Sequence, residues 1–117
     1  MTESEEGKLF RLATLLANKT RKGVIGWEAA DSFFEDYETY AYSTASSTVL
    51  VGEDGPRRWI KLVVKNSDGQ VLSTLPVTER TSEEFDDVLY GLFDAARRSV
   101  LKIDVTLDAI ISDLEEE

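Results

Sequence analysis

The stretch "EDGPRRWIKLVVKNSDGQVLSTLPV", residues 53–77, decides how this chain folds. From Trp59 to Lys65 it alternates: Ile60, Leu62 and Val64 fall on one side, Trp59, Lys61, Val63 and Lys65 on the other. Successive side chains of a strand project to opposite faces, so the first set predicts a core face and the second a half-exposed one. Asp54-Gly55 and Asp68-Gly69 bracket this strand with turn chemistry, glycine supplying the positive φ that such turns need. "QVLSTLPV" (70–77) continues as a strand, and Pro76, which has no N–H to donate, belongs near its end or on an edge. Upstream, "YETYAYS" (37–43) is aromatic and β-branched, and the small-residue link "TASS" (44–47) leads into "TVLVG" (48–52). Links this short favour an antiparallel meander, of three or four strands.

Helices flank the meander. Leu9, Leu12, Ala13 and Leu16 share one face of a helix over Ser4–Asn18, with Glu5 and Glu6 in its first turn. Lys19, Arg21 and Lys22 place cations at its C-terminus, before Gly23 as the stop. Val24–Trp27 reads as a short extended segment, and Asp31–Asp36 as either a helical turn or a loop. After the meander, Thr81 with Glu84 three residues on predicts a capping box. Phe85, Val88, Leu89, Leu92, Phe93 and Ala96 then form the broad stripe of a helix lying on a sheet. This helix runs from about Ser82 to Leu101, and Arg97 and Arg98 suit its last turn. Weak helix formers in "IDVT" (103–106) break it, with Asp104 as cap for a second helix. Val100, Ile103, Leu107, Ile110 or Ile111, and Leu114 keep a 3-4 spacing through the break. The expected fold is therefore α+β: N-terminal helix, three- to four-stranded antiparallel meander and two C-terminal helices, one domain over 1–117 with frayed ends at 1–3 and 115–117.

With 117 residues, 42% hydrophobic and 31% charged, the chain has the composition of one folded domain and not of a disordered tail. No apolar run nears the roughly 20 residues that span a bilayer, and the acidic N-terminus lacks the pattern of a secretory signal. The expected location is the cytoplasm, with no membrane partner. The net charge of −10 is uneven: +2 over residues 1–23, −4 over 24–78 and −8 over 79–117. Such a surface repels phosphate backbones, so direct nucleic-acid binding is not expected.

The chain has no histidine and no cysteine. His-assisted nucleophiles and Cys/His zinc sites are thereby excluded. The seven glycines are scattered and form no phosphate loop. Glu83, Glu84, Asp86 and Asp87 fan outward from a helix start, where the dipole favours acids, and "NSDG" lacks the later ligands of a calcium loop. No catalytic residue, metal ligand or cofactor site is assigned.

"KGVIGWE" (22–28), the DG-linked strands and "LFDAARRSVLKIDVTLDAIISDLEEE" (92–117) resemble a family of small bacterial proteins to which no activity is attached. Leu92, Phe93, Ala96, Arg97, Arg98, Asp104, Leu107 and Leu114 match its C-terminal pattern, while Lys102 stands where that pattern has glycine. The resemblance implies an α+β fold and an accessory or regulatory role near mobile or defence-type genes.

The leading functional expectation is a small acidic, non-enzymatic module that binds another protein or itself, possible dimer formation included. Its candidate interface is the face of Trp59, Lys61 and Val63, which Tyr40 and Tyr42 would extend, or Leu107, Ile111 and Leu114 of the last helix, or both. That helix has two readings: packing on its own domain, which a small core favours, or packing on a partner. Two alternative functions share the size and charge, an acidic nucleic-acid mimic that inhibits a DNA- or RNA-binding protein, and a secretion-type chaperone.

Overall fold

A computed structural model describes residues 4–31, 37–55, 59–78 and 81–116. The ambiguous segment at 31–36 lies, beyond Asp31, outside the described residues, as do the ends expected to fray at 1–3 and at 117. Helix α1 (Glu5–Arg21) is followed by five strands: β1 (Glu28–Ala29), β2 (Thr39–Ser43), β3 (Ser47–Asp54), β4 (Trp59–Asn66) and β5 (Val71–Pro76). Helices α2 (Glu83–Leu101) and α3 (Ile103–Glu115) complete the chain. All neighbouring strands pair antiparallel in the order β1-β2-β3-β4-β5. The architecture is α+β, with five strands rather than three or four. The extra one, β1, pairs only Glu28 with Ala41 and Ala29 with Tyr40, and two residues are too few to carry an alternation.

Register sets the faces. Tyr40, Val51, Leu62 and Leu75 stand side by side across four strands, with Tyr42, Val49 and Val64 one pleat along. This face meets α1 and α2, and Leu9, Ala13, Leu16, Phe85, Leu89, Leu92 and Ala96 close the core over it. Phe10 stacks on Phe85 with ring centroids 6.2 Å apart, and Phe93 lies 5.7 Å from Tyr40. On the other face Leu50 pairs with Val63, and both are buried as well.

Two glycines permit close approaches. A Cβ on Gly52 of β3 would collide with the Thr39 side chain and come within 2.9 Å of the Glu38 carbonyl oxygen. On α2, a Cβ at Gly91 would lie 2.6 Å from a guanidinium nitrogen of Arg21, which crosses the helix there.

The helix ends follow local chemistry. Ser4 caps α1, its Oγ accepting from the Gly7 N–H. Lys19 and Arg21 occupy the last turn, and Gly23 (φ 74°) ends it. The Trp27 indole donates to Thr20 Oγ1 (2.8 Å), and that hydroxyl donates to the Leu16 carbonyl (2.6 Å), pinning the chain as it leaves α1. The cap of α2 is Ser82 and not Thr81: Ser82 Oγ accepts from the Phe85 N–H, while Thr81 donates to the Thr78 carbonyl and to Asp86. The spacing rule selects Thr81, which has Glu84 three residues on where Ser82 has Phe85, but it is the Ser82 hydroxyl that meets a helix N–H. The expected turn at "NSDG" forms, with Asn66 Oδ1 accepting from the Asp68 and Gln70 N–H groups.

The break after α2 falls at Lys102, whose φ of 52° and ψ of 42° are left-handed. Its N–H donates to the Arg98 carbonyl, closing α2, and its carbonyl accepts from the Thr106 N–H, opening α3. Asp104 therefore does not cap α3; it bonds back to Arg98.

Candidate interaction surface

Helix α3 buries none of its side chains. Leu107, Ile110, Ile111 and Leu114 are 50%, 50%, 51% and 67% exposed, and Ile103 is half-buried. At 100° per residue these five form one stripe about 100° wide, while Asp104, Asp108, Ser112 and Glu115 lie outside it. A stripe of that width ordinarily belongs against a core. Here it has none: of the two readings of this helix, packing on its own domain buries none of its side chains. The molecule measures 59 × 33 × 33 Å. A 13-residue helix is about 20 Å long, which accounts for most of the excess along the long axis. Among the other helices and strands, α3 chiefly touches α2, which it leaves at Lys102.

Val105, on the side of α3 opposite the stripe, is 67% exposed, and Ile103 at the base of the stripe is the one α3 side chain that is partly covered among the described residues. Val105, half a turn from Leu107 and Ile110, lines a groove of about 490 Å³ with Val24, Ile25 and Ala95. Arg98 ties the base of the arm, with Nε 3.1 Å from Asp94 Oδ2 and Nη1 3.4 Å from Asp104 Oδ1. Both pairs are solvent-exposed, and each contributes at most about 1 kcal/mol.

The other expected interface residues do not join this stripe. Tyr40 is 4% exposed, and Tyr42 packs against the core cluster; both lie on the helix-covered face and not beside Lys61 and Val63. Trp59 is half-buried against the same cluster. Val63 is buried, while Lys61 remains partly open and pairs with Asp54 at 3.3 Å. The sheet thus offers no aromatic patch among the described residues; the longest run of exposed apolar side chains is on α3, while Leu15 of α1, Val71 and Leu72 of β5 and Tyr90 of α2 are exposed elsewhere. Sequence reasoning did not assign Leu101 or Val24 to a surface, yet both are exposed near the base of the arm. No periodicity marks them.

A polar cluster sits where β2 meets α2. The Tyr40 hydroxyl donates to Glu38 Oε2 (2.8 Å), which also accepts from Arg97 Nε at 3.1 Å. Burial, and then the adjacent Glu38 carboxylate, raise the Tyr40 pKa well above the usual tyrosine value. Burial and Asp86 raise that of Tyr90 as well. The Tyr40 phenol is held protonated and donates to Glu38. Among the described residues no group of three or more carboxylates is placed to hold a metal ion, and no helix is long and apolar enough to cross a membrane. The acids exposed along α2 do not run unbroken into those of α3, because Arg98 stands between Asp94 and Asp104.

Comparison of the chain with protein-family profiles, with curated proteins and with solved structures gives no match.

Proposed function

We propose that this chain is a small acidic, non-enzymatic protein-interaction module whose docking element is α3. The observation that carries the reading is the exposed stripe Ile103-Leu107-Ile110-Ile111-Leu114 on a helix with no buried side chain. Exposed apolar surface gathered in one place costs solubility, and single scattered residues would need no explanation. An amphipathic helix that lays i, i+4, i+7 anchors into a complementary surface is a recurrent mode of protein recognition. Support also comes from what the body does without α3: its core closes between α1, α2 and the sheet, so the arm is free for another task.

The test is the double variant Leu107→Asp, Leu114→Asp. The expected result is an unchanged melting temperature in dilute solution together with loss of the association that the native protein makes through α3. A melting temperature lowered by 10 °C or so would show that the stripe serves the core, and would end this reading.

A further inference from the structure

We infer that β5 accepts an extended basic segment of another protein as an added strand, whose side chains enter the groove between β5 and the starts of α1 and α2. β5 ends the sheet order, and among the described residues no strand pairs with its other side. Sheet edges are ordinarily blunted by charge, yet Val71–Pro76 carries none, and Val71 and Leu72 are each 58% exposed. Hydrogen bonding to β4 fixes which backbone groups stay open. The Val77 N–H, just past β5, donates to the Ile60 carbonyl at 2.9 Å. Orientation alternates along a strand, so the Leu75 and Ser73 N–H groups also face β4, while the Thr74 N–H faces outward. Pro76 takes the next outward position, where its missing N–H costs no sheet bond. The same alternation turns the carbonyls of Leu72, Thr74 and Pro76 outward, so the edge offers more acceptors than donors. The register shift at Val64/Lys65 closes this run on one side and Pro76 on the other, which suits one short added strand and not an open-ended stack.

The groove beside this edge has a volume of about 550 Å³. Leu9, Leu75 and Phe85, each buried, give it an apolar floor. Glu5 and Glu6 are its exposed acids, and among the described residues neither has an ion-pair partner. Glu5 accepts from Ser73 Oγ at 2.7 Å, which holds its carboxylate beside the edge strand. No base is among the described residues that line the groove. In an added strand every second side chain turns to the face that α1 and α2 cover. One such side chain meets the apolar floor, and its neighbour on the same face meets the acids. The fitting segment therefore carries a small apolar residue and a Lys or Arg two positions apart. A second copy of β5 does not fit: Val71–Pro76 has no base, and the pairing would bring the Glu5 carboxylates of both copies together.

The probe is a short end-blocked peptide in which threonines alternate with lysine, valine and lysine, titrated into the full chain and followed by amide NMR. Shifts should saturate by about 2 mM, centre on β5 and the first turns of α1 and α2, and leave α3 unmoved. Hydrogen exchange of the Thr74 amide should slow severalfold. Methylating the backbone nitrogens of the two threonines beside the valine removes N–H groups that meet β5 and leaves the protein untouched. That change, replacement of the probe's lysines by glutamate, and Glu5→Gln with Glu6→Gln in the protein should each weaken binding severalfold. No saturation by about 2 mM, or equal binding of the methylated or glutamate probe, would overturn the inference. Leu107→Asp, Leu114→Asp should bind the probe as the native protein does; loss of binding in that variant, or shifts confined to α3, would overturn it too by placing the site on the last helix.

Discussion

Leu92→Ala and Leu107→Ala make a matched pair, the same side chain removed from α2 and from α3. Leu92 is fully buried among the residues that α2 sets against the sheet. Truncating such a leucine loses its transfer free energy and leaves a cavity, together about 3–4 kcal/mol. Leu107 is half exposed on a helix with no buried side chain. Alanine is at least as good a helix former, and exposed substitutions of this kind stay within about 0.5 kcal/mol. A 117-residue chain has an unfolding entropy of about 0.25 kcal/mol/K. Leu92→Ala should therefore lower Tm by about 12–16 °C, and Leu107→Ala by about 2 °C or less. Thermal unfolding followed by circular dichroism gives both values. The protein must be dilute, since any dimer stabilises its folded state by mass action and would add its own contribution to Tm. Equal losses for the two variants at low concentration would refute the claim that α3 stands off the core, and with it the reading of its stripe as a binding face.

Two further expectations concern the body. Gly52→Ala inserts a methyl group where the Thr39 side chain and the Glu38 carbonyl already stand; because backbone cannot swing aside as a long side chain can, the cost should be about 1–3 kcal/mol, read by urea denaturation, and a neutral result would show that β2 and β3 are not this close. Tyr40, with its pKa raised in the fold, favours the protonated phenol there, so its contribution is fully present below the ordinary value of about 10 and is lost as pH rises above it. Stability of the native protein should fall more steeply above pH ~10 than that of Tyr40→Phe, and parallel profiles in alkaline denaturation would contradict the raised pKa.

The parts of this fold that the sequence revealed are those written in local periodicity. Ile60, Leu62 and Val64 alternate, and they do line the core; the stripe from Phe85 to Ala96 has helical spacing, and α2 does lie on the sheet. What failed is information held between elements. Tyr40 and Tyr42 were expected beside Trp59 and Lys61, because alternation within a strand says which residues share a face and not which face a neighbour turns the same way. The register Tyr40–Val51–Leu62 assigns them to the core, and a slip of one residue would have reversed that answer. The break after Leu101 was legible, but the left-handed conformation of Lys102 that makes it was not, for a different reason. Lysine carries no preference for that conformation, and only glycine or asparagine would have announced it.

Leu107, Ile111 and Leu114 show where a residue pattern stops being informative. Their spacing fits a helix buried in its own domain and a helix buried in another equally well, since both solvents are apolar side chains. The discriminating quantity is whether the rest of the chain already closes without them. Leu62, Leu89 and Leu92 are essentially solvent-free while α3 contributes nothing to their burial, so the core has no vacancy for the arm to fill. Folding α3 back would moreover require Lys102 to leave the one conformation that closes α2 and opens α3 with the same residue. The break sets α3 off as an arm whose apolar stripe from Leu107 to Leu114 stays exposed, with acids on its flanks.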